Sequence, residues 1–198
     1  MPRPDHQPQH LVLGSASPRR KSLLEAMGLE FEVRTQAAEE RFPENLKTYE
    51  ITNYLSELKA SVLQDSLPGR AVLLTADTIV CLGDEVLEKP AGEKEAREML
   101  GKLSGAWHQV YTSVCLTAKG YREVFHARTD VRFTRVDPGM LTTYLHLGNP
   151  MDKAGGYGIQ EWIGLVGVEA IRGSYTNVVG LPTQLVYQKL RDMVRRGF

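Results

Sequence analysis

Leu11-Val12-Leu13-Gly14 is an apolar run stopped by glycine, the pattern of a short buried strand. Leu23, Leu24 and Met27 then share one face of a helix that starts near Ser17 and stops at Gly28. Phe31-Glu32-Val33 alternates like a strand. Thr48 to Leu63 sets Ile51, Leu55, Leu58 and Val62 at helical spacing, with Lys59 assigned to the polar, solvated side. Ala71 to Leu82 is an apolar strand, Gly83-Asp84 a turn, and Val86-Leu87 its hairpin return. Glu93 to Leu103 is a helix with Ala96, Met99, Leu100 and Leu103 on one stripe. Trp107 to Ala118 and Val124 to Phe133 form two long strands joined around Gly120. Asp137 caps a helix to Leu147, and a glycine-rich loop follows over Asp152 to Gly158. A strand over Ile163 to Ile171 and a helix from Thr183 to Arg196 close the pattern.

These elements predict an α/β fold with a mixed or antiparallel sheet and helices beside it. With 198 residues, the chain suits one domain, two-lobed around a cleft, over residues 11–198. Met1 to His10 is polar, contains Pro2, Pro4 and Pro8, and is expected to be a frayed, disordered tail without the apolar region of a signal peptide.

Charge changes the picture by exclusion. The 24 basic residues balance 24 acidic ones, which removes the bulk electrostatic case for nucleic acid or an anionic membrane as partner. No apolar run reaches membrane-spanning length. Cys81 and Cys115 are far apart in apolar runs and read as buried reduced thiols. His6, His10, His108, His126 and His146 show no ligand spacing and receive no role.

The start of the first helix breaks a local rule. Ser17 suits the N-cap and Pro18 the first turn. Arg19, Arg20 and Lys21, however, place three cations at a helix end that already carries positive partial charge. A bound polyphosphate, gripped by backbone N–H groups, serine hydroxyls and arginine forks, reverses the sign of that cost. A solvated basic turn whose arginines pair with distant carboxylates is the other reading. No Walker loop and no Gly-x-Ser-x-Gly elbow occurs.

Asp77 breaks a second rule, because it interrupts the apolar strand Val72 to Val80. A buried carboxylate needs a metal or a cation, or its pKa rises. Lys89, across the hairpin, is expected near Asp77 and Thr78, subject to strand register. A structural Asp–Lys pair is the plain alternative to catalysis, and the catalytic role is preferred because perturbed carboxylates gather at sites. Glu39-Glu40 follow the second strand and suit either a divalent metal or a solvated acidic turn.

Five segments now carry a resemblance. Ser15-Ala16-Ser17-Pro18-Arg19-Arg20, Ala76-Asp77-Thr78-Ile79-Val80, Glu88-Lys89-Pro90, Asp152 to Gln160, and Gly173 to Pro182 occur in the order found in the Maf family of nucleotide pyrophosphatases, which the chain resembles from Leu11 onward. The resemblance implies an inosine triphosphate pyrophosphatase-like fold with a central cleft. It implies hydrolysis of a nucleoside triphosphate to monophosphate and pyrophosphate, with Mg²⁺ or Mn²⁺, in a cytoplasmic homodimer. The Asp-Lys-Ala-Gly-x-Tyr-Gly-Ile-Gln form resembles the branch acting on dTTP and UTP; a sister branch prefers 7-methyl-GTP. A non-catalytic nucleotide-binding regulator of cell division is the alternative that older family labels suggest.

By motif position, Asp77 resembles the family's proton acceptor. Ser15, Arg20, Glu40, Lys59 and Lys89 fall where the family keeps other site residues, and Arg19, Thr78 and Gln160 at positions tied to base selection. The expected mechanism is metal-assisted attack of water on the α-phosphorus. Asp77 would activate the water and touch the metal, Glu40 (Glu39 second) would hold the metal, and Arg20, Lys59 and Lys89 would neutralise phosphate charge. Ser15 and Ser17 would orient the phosphates. Gly156 stands where alanine is frequent, and Glu161-Trp162 follow Gln160 where glycine is usual.

Overall fold

The computed structural model describes residues 7–198. Its strands are β1 (His10–Leu13), β2 (Glu32–Val33), β3 (Ala71–Leu82), β4 (Glu85–Leu87), β5 (Trp107–Ala118), β6 (Tyr121–Phe133) and β7 (Val168–Arg172). They form a seven-stranded mixed sheet ordered β2-β1-β3-β5-β6-β7, with β4 paired to β3. β1 runs parallel to both β2 and β3, whereas β3–β4 and β6–β7 are antiparallel. The helices beside it are α1 (Pro18–Ala26), α2 (Tyr49–Leu63), α3 (Glu93–Leu103), α4 (Pro138–Leu147), α5 (Trp162–Gly167), α6 (Tyr175–Val179) and α7 (Thr183–Arg195). The chain divides into two compact units. One holds the chain to Asp77, Thr112–Ala127 and Gly180–Phe198; the other holds Thr78–Tyr111 and Arg128–Val179.

In the first unit, strand alternation sorts side chains onto two faces. Leu11 and Leu13 of β1, Val72, Leu74 and Ala76 of β3, and Val114 and Leu116 of β5 pack with Leu24 of α1 and Val186, Leu190 and Met193 of α7. The opposite parity, Val12, Ala71, Leu73 and Cys115, packs with Ala60 and Leu63 of α2. β3 is central and buried on both faces over Ala71–Asp77, which accounts for its nearly continuous apolar run. The polar stretch before β1 is shorter than expected. Residues 1–6 lie outside the described chain, but Gln7 is buried and His10 already belongs to β1. The Gln7 amide acts as a stand-in peptide group, accepting from the Glu30 N–H at 2.9 Å and donating to the Glu30 carbonyl.

In the second unit, the stripe Ala96, Met99, Leu100 and Leu103 of α3 is buried, as are Phe133, Leu141, Tyr144, Tyr157 and Ile163. His108 is fully buried among them. Its Nε2 lies 2.7 Å from the Tyr157 hydroxyl, its ring meets Phe133 edge-on, and its Nδ1 has no hydrogen-bond partner. Burial drives the His108 pKa down to about 4, against a weaker upward pull from Asp130.

One sequence expectation fails here. Ile163 to Ile171 is not a single strand: Trp162–Gly167 is helical and only Val168–Arg172 extends the sheet. The β-branched and apolar content favours a strand, but the Gly164 and Leu165 N–H groups both donate to the Glu161 carbonyl and open a helical turn. Gly164 also seats against the Ile159 carbonyl, where a Cβ would come within 1.8 Å of the oxygen. Tertiary packing overrides propensity. The short α6 was not anticipated either.

Candidate active site

Parity places Asp77 with Ala71, Leu73 and Thr75, on the α2 side of β3. The Thr75 hydroxyl donates to the Ser56 carbonyl of α2 at 2.7 Å, fixing strand against helix two residues before Asp77 and three before Lys59. Lys59 is not on the solvated side of α2. It stands four residues from both Leu55 and Leu63, which are buried, and its side chain is only 17% exposed. Its ammonium donates to Asp77 Oδ1 at 2.6 Å and meets Glu40 Oε2 at 3.1 Å. Lys59, rather than Lys89, is thus the ammonium that the structure pairs with Asp77.

Asp77 is buried, and burial raises its pKa above the ordinary carboxylate value. Lys59 and Arg20 pull it down, Glu40 pushes it up, and the net shift is upward. A carboxylate in that state is a stronger base than an exposed aspartate.

The basic loop is fastened onto the same unit. Ser17 is the N-cap of α1, its hydroxyl accepting from the Arg20 N–H at 3.4 Å, and Pro18 opens the helix. Gly14 permits the approach that precedes it. Its N–H donates to the Leu74 carbonyl at 2.8 Å, and a Cβ there would come within 2.6 Å of the Thr75 methyl. Arg20 donates through Nε to the Gly180 carbonyl at 2.9 Å and through Nη1 to the Ser15 hydroxyl at 3.2 Å. Ser15 Oγ also accepts the Ser17 N–H at 3.3 Å, so its own proton is the group left to donate. Burial lowers the Arg20 pKa, Asp77 and Glu40 oppose that shift, and Arg19 adds to it. A guanidinium stays charged regardless.

Ser15, Ser17, Arg20, Glu40, Lys59 and Asp77 therefore form one connected set. Arg19 is half-buried at the same helix start. Glu39 is exposed and paired with Arg41 at 2.8 Å. Thr78, Lys89 and Gln160 belong to the second unit. Thr78 follows Asp77 on β3, Lys89 is exposed beyond the last β3–β4 pair, Val80 with Leu87, and Gln160 is exposed beside the buried Ile159. Sequence reasoning overlooked Thr75 and the Gly180 carbonyl. A threonine in an apolar strand two residues from the odd aspartate was a usable signal; a backbone carbonyl offers none.

Among the described residues, no group of three or more His, Cys, Asp or Glu could hold a metal ion. The acidic oxygens that do converge, from Asp77 and Glu40 on one ammonium, suit a hard cation that completes its shell with water and phosphate oxygens.

Residues 10–193 match the family described as Maf-like protein. The chain is 46% identical over 184 residues to the dTTP/UTP pyrophosphatase of Phocaeicola vulgatus, covering 92% of this chain and 95% of that protein. It is 48% identical over 177 residues to the dTTP/UTP pyrophosphatase of Flavobacterium psychrophilum, covering 89% and 91%. A solved dITP/XTP pyrophosphatase from Mycobacterium abscessus is similar at 14% identity over 95% of this chain and 97% of that one, with a TM-score of 0.46.

Proposed function

The chain belongs to the Maf family, and from that premise we propose that it hydrolyses dTTP and UTP to the monophosphate and pyrophosphate. The observation that carries the proposal is the buried Asp77 with its raised pKa, held by Lys59 inside a cationic set that includes Arg20. A purely structural ion pair gains little from such a position.

Asp77 takes the proton of a water that attacks the α-phosphorus in line with the departing pyrophosphate. Its Oδ1 is held by Lys59, and Oδ2 is the oxygen assigned to the water. Arg20, locked by Gly180 and Ser15, offsets the negative charge that accumulates on the phosphate oxygens. Lys59 does the same while keeping Asp77 ionised. Ser15 donates its hydroxyl proton to a phosphate oxygen, and Ser17 holds the helix start that presents it. Lys89 completes the cationic set by family position. Asp77 and Glu40 would hold a Mg²⁺ or Mn²⁺ ion, which would supply Lewis acidity and neutralise phosphate charge. Glu39 takes no part in this assignment.

Arg19, Thr78 and Gln160 select the base, and the Gln160 amide offers a donor and an acceptor to a pyrimidine edge. A cytoplasmic homodimer belongs to the same proposal and rests on family resemblance. Among the described residues no helix is long and apolar enough to cross a membrane.

The test is product analysis on a panel of triphosphates with each metal. Pyrophosphate from dTTP and UTP is expected; orthophosphate as the first product, or no turnover of any triphosphate, would sink the proposal.

A further inference from the structure

Lys153 lies in the glycine-rich loop of the second unit. It is only 5% exposed, although a lysine so buried needs every N–H satisfied. All three are. The ammonium donates to Asp152 Oδ1 at 2.6 Å, to Glu161 Oε1 at 2.8 Å and to the Asn149 carbonyl. Glu161 is held at both oxygens, since its Oε2 accepts the Tyr144 hydroxyl at 2.5 Å. The Tyr144 oxygen then accepts the Gly158 N–H at 3.1 Å. The network closes on the loop from which it began.

Two glycines allow the closure. A Cβ on Gly158 would fall 2.7 Å from Glu161 Cδ and 2.9 Å from Lys153 Cε. Gly164 lies against the Ile159 carbonyl. Gln160 is thus an exposed residue between two fastened neighbours, Ile159 on Gly164 and Glu161 on Lys153 and Tyr144.

We propose that the Lys153–Glu161–Tyr144 network is a latch that positions Gln160, making Glu161 and Tyr144 positioning residues for base selection. Glu161 is the carboxylate that ties Lys153 to Tyr144, so the latch depends on that one side chain. The inference rests on the base-reading role proposed for Gln160. A side chain that discriminates by hydrogen bonds does so only when its backbone is held, because a small displacement weakens the right pairing more than the wrong one.

The test uses Glu161→Gln, Tyr144→Phe and the double variant, each close to the parent side chain in volume. The readouts are kcat/KM for dTTP relative to dCTP, and hydrogen exchange of the Gly158 to Glu161 amides. Each single change is expected to lower the dTTP preference about tenfold, mainly through KM for dTTP. The double change should lower it by no more than one single change does, because both open one latch. A change acting only on stability would reduce both substrates alike, and an unaltered preference in an active enzyme would overturn the latch while leaving the hydrolytic function intact. Should the wild-type protein turn over no triphosphate, the function itself falls. Faster exchange of the Gly158 amide in Glu161→Gln then still supports the latch, and unchanged exchange overturns it.

Discussion

Each unit of this protein buries a lysine against carboxylates, and the two sites differ in how completely those groups are satisfied. Lys153 has three acceptors for three protons, and Glu161 has a donor on each oxygen. Lys59 is shared by Asp77 and Glu40, two carboxylates whose mutual repulsion helps to raise the Asp77 pKa. A saturated network holds a shape. At Lys59, burial and the nearby Glu40 raise the pKa of Asp77 and leave that carboxylate poised to take a proton, which is the arrangement chemistry needs.

The contrast can be broken most severely at Asp77. Asp77→Asn should cut pyrophosphate release by about 10²- to 10⁴-fold, the usual contribution of a general base, while nucleotide still binds. Turnover near wild type would remove the distinction between the sites. The opposite signature is expected at Lys153. Lys153→Met leaves the half-buried Glu161 without its cation and should cost about 1–3 kcal/mol of stability, read by denaturant unfolding.

His108 sharpens the contrast with pH. Its neutral form is favoured in the fold, with a pKa of about 4 against 6.5 for an ordinary histidine. The associated stability is complete above about pH 6.5 and is lost as pH falls toward 4, up to about 3 kcal/mol. His108→Gln should flatten that slope in melts run between pH 4 and 7. At Lys59 the change should be chemical rather than structural. Lys59→Met removes a group that lowers the Asp77 pKa, so the acid limb of the kcat/KM profile should move to higher pH. The peak should fall about hundredfold, with a smaller loss of stability than at Lys153.

Much of the fold was legible because its elements obey their periods. The bounds of β3, α3 and β5 follow from apolar runs and stripes, and the Ser17 and Asp137 caps from local chemistry. Trp162–Gly167 was misread because its helix depends on a glycine meeting a carbonyl, a contact that no periodicity encodes. At the site, Asp77 announced itself as a carboxylate in an apolar strand. Its partner did not, because Lys59 looks like any helix-surface lysine until the fold turns that face inward. Lys89, nearer in sequence across a turn, was the natural guess. The Lys153 latch stayed hidden for a similar reason: its three acceptors come from Asn149, Asp152 and Glu161, and Tyr144 joins through Glu161, all linked only once the loop closes.

The proposed reaction is attack of water on the α-phosphorus. Hydrolysis of dTTP in ¹⁸O-labelled water tests it directly, by mass analysis of both products. One ¹⁸O in the monophosphate and none in the pyrophosphate is the expected result. Label in the pyrophosphate, or its release as orthophosphate, would contradict it.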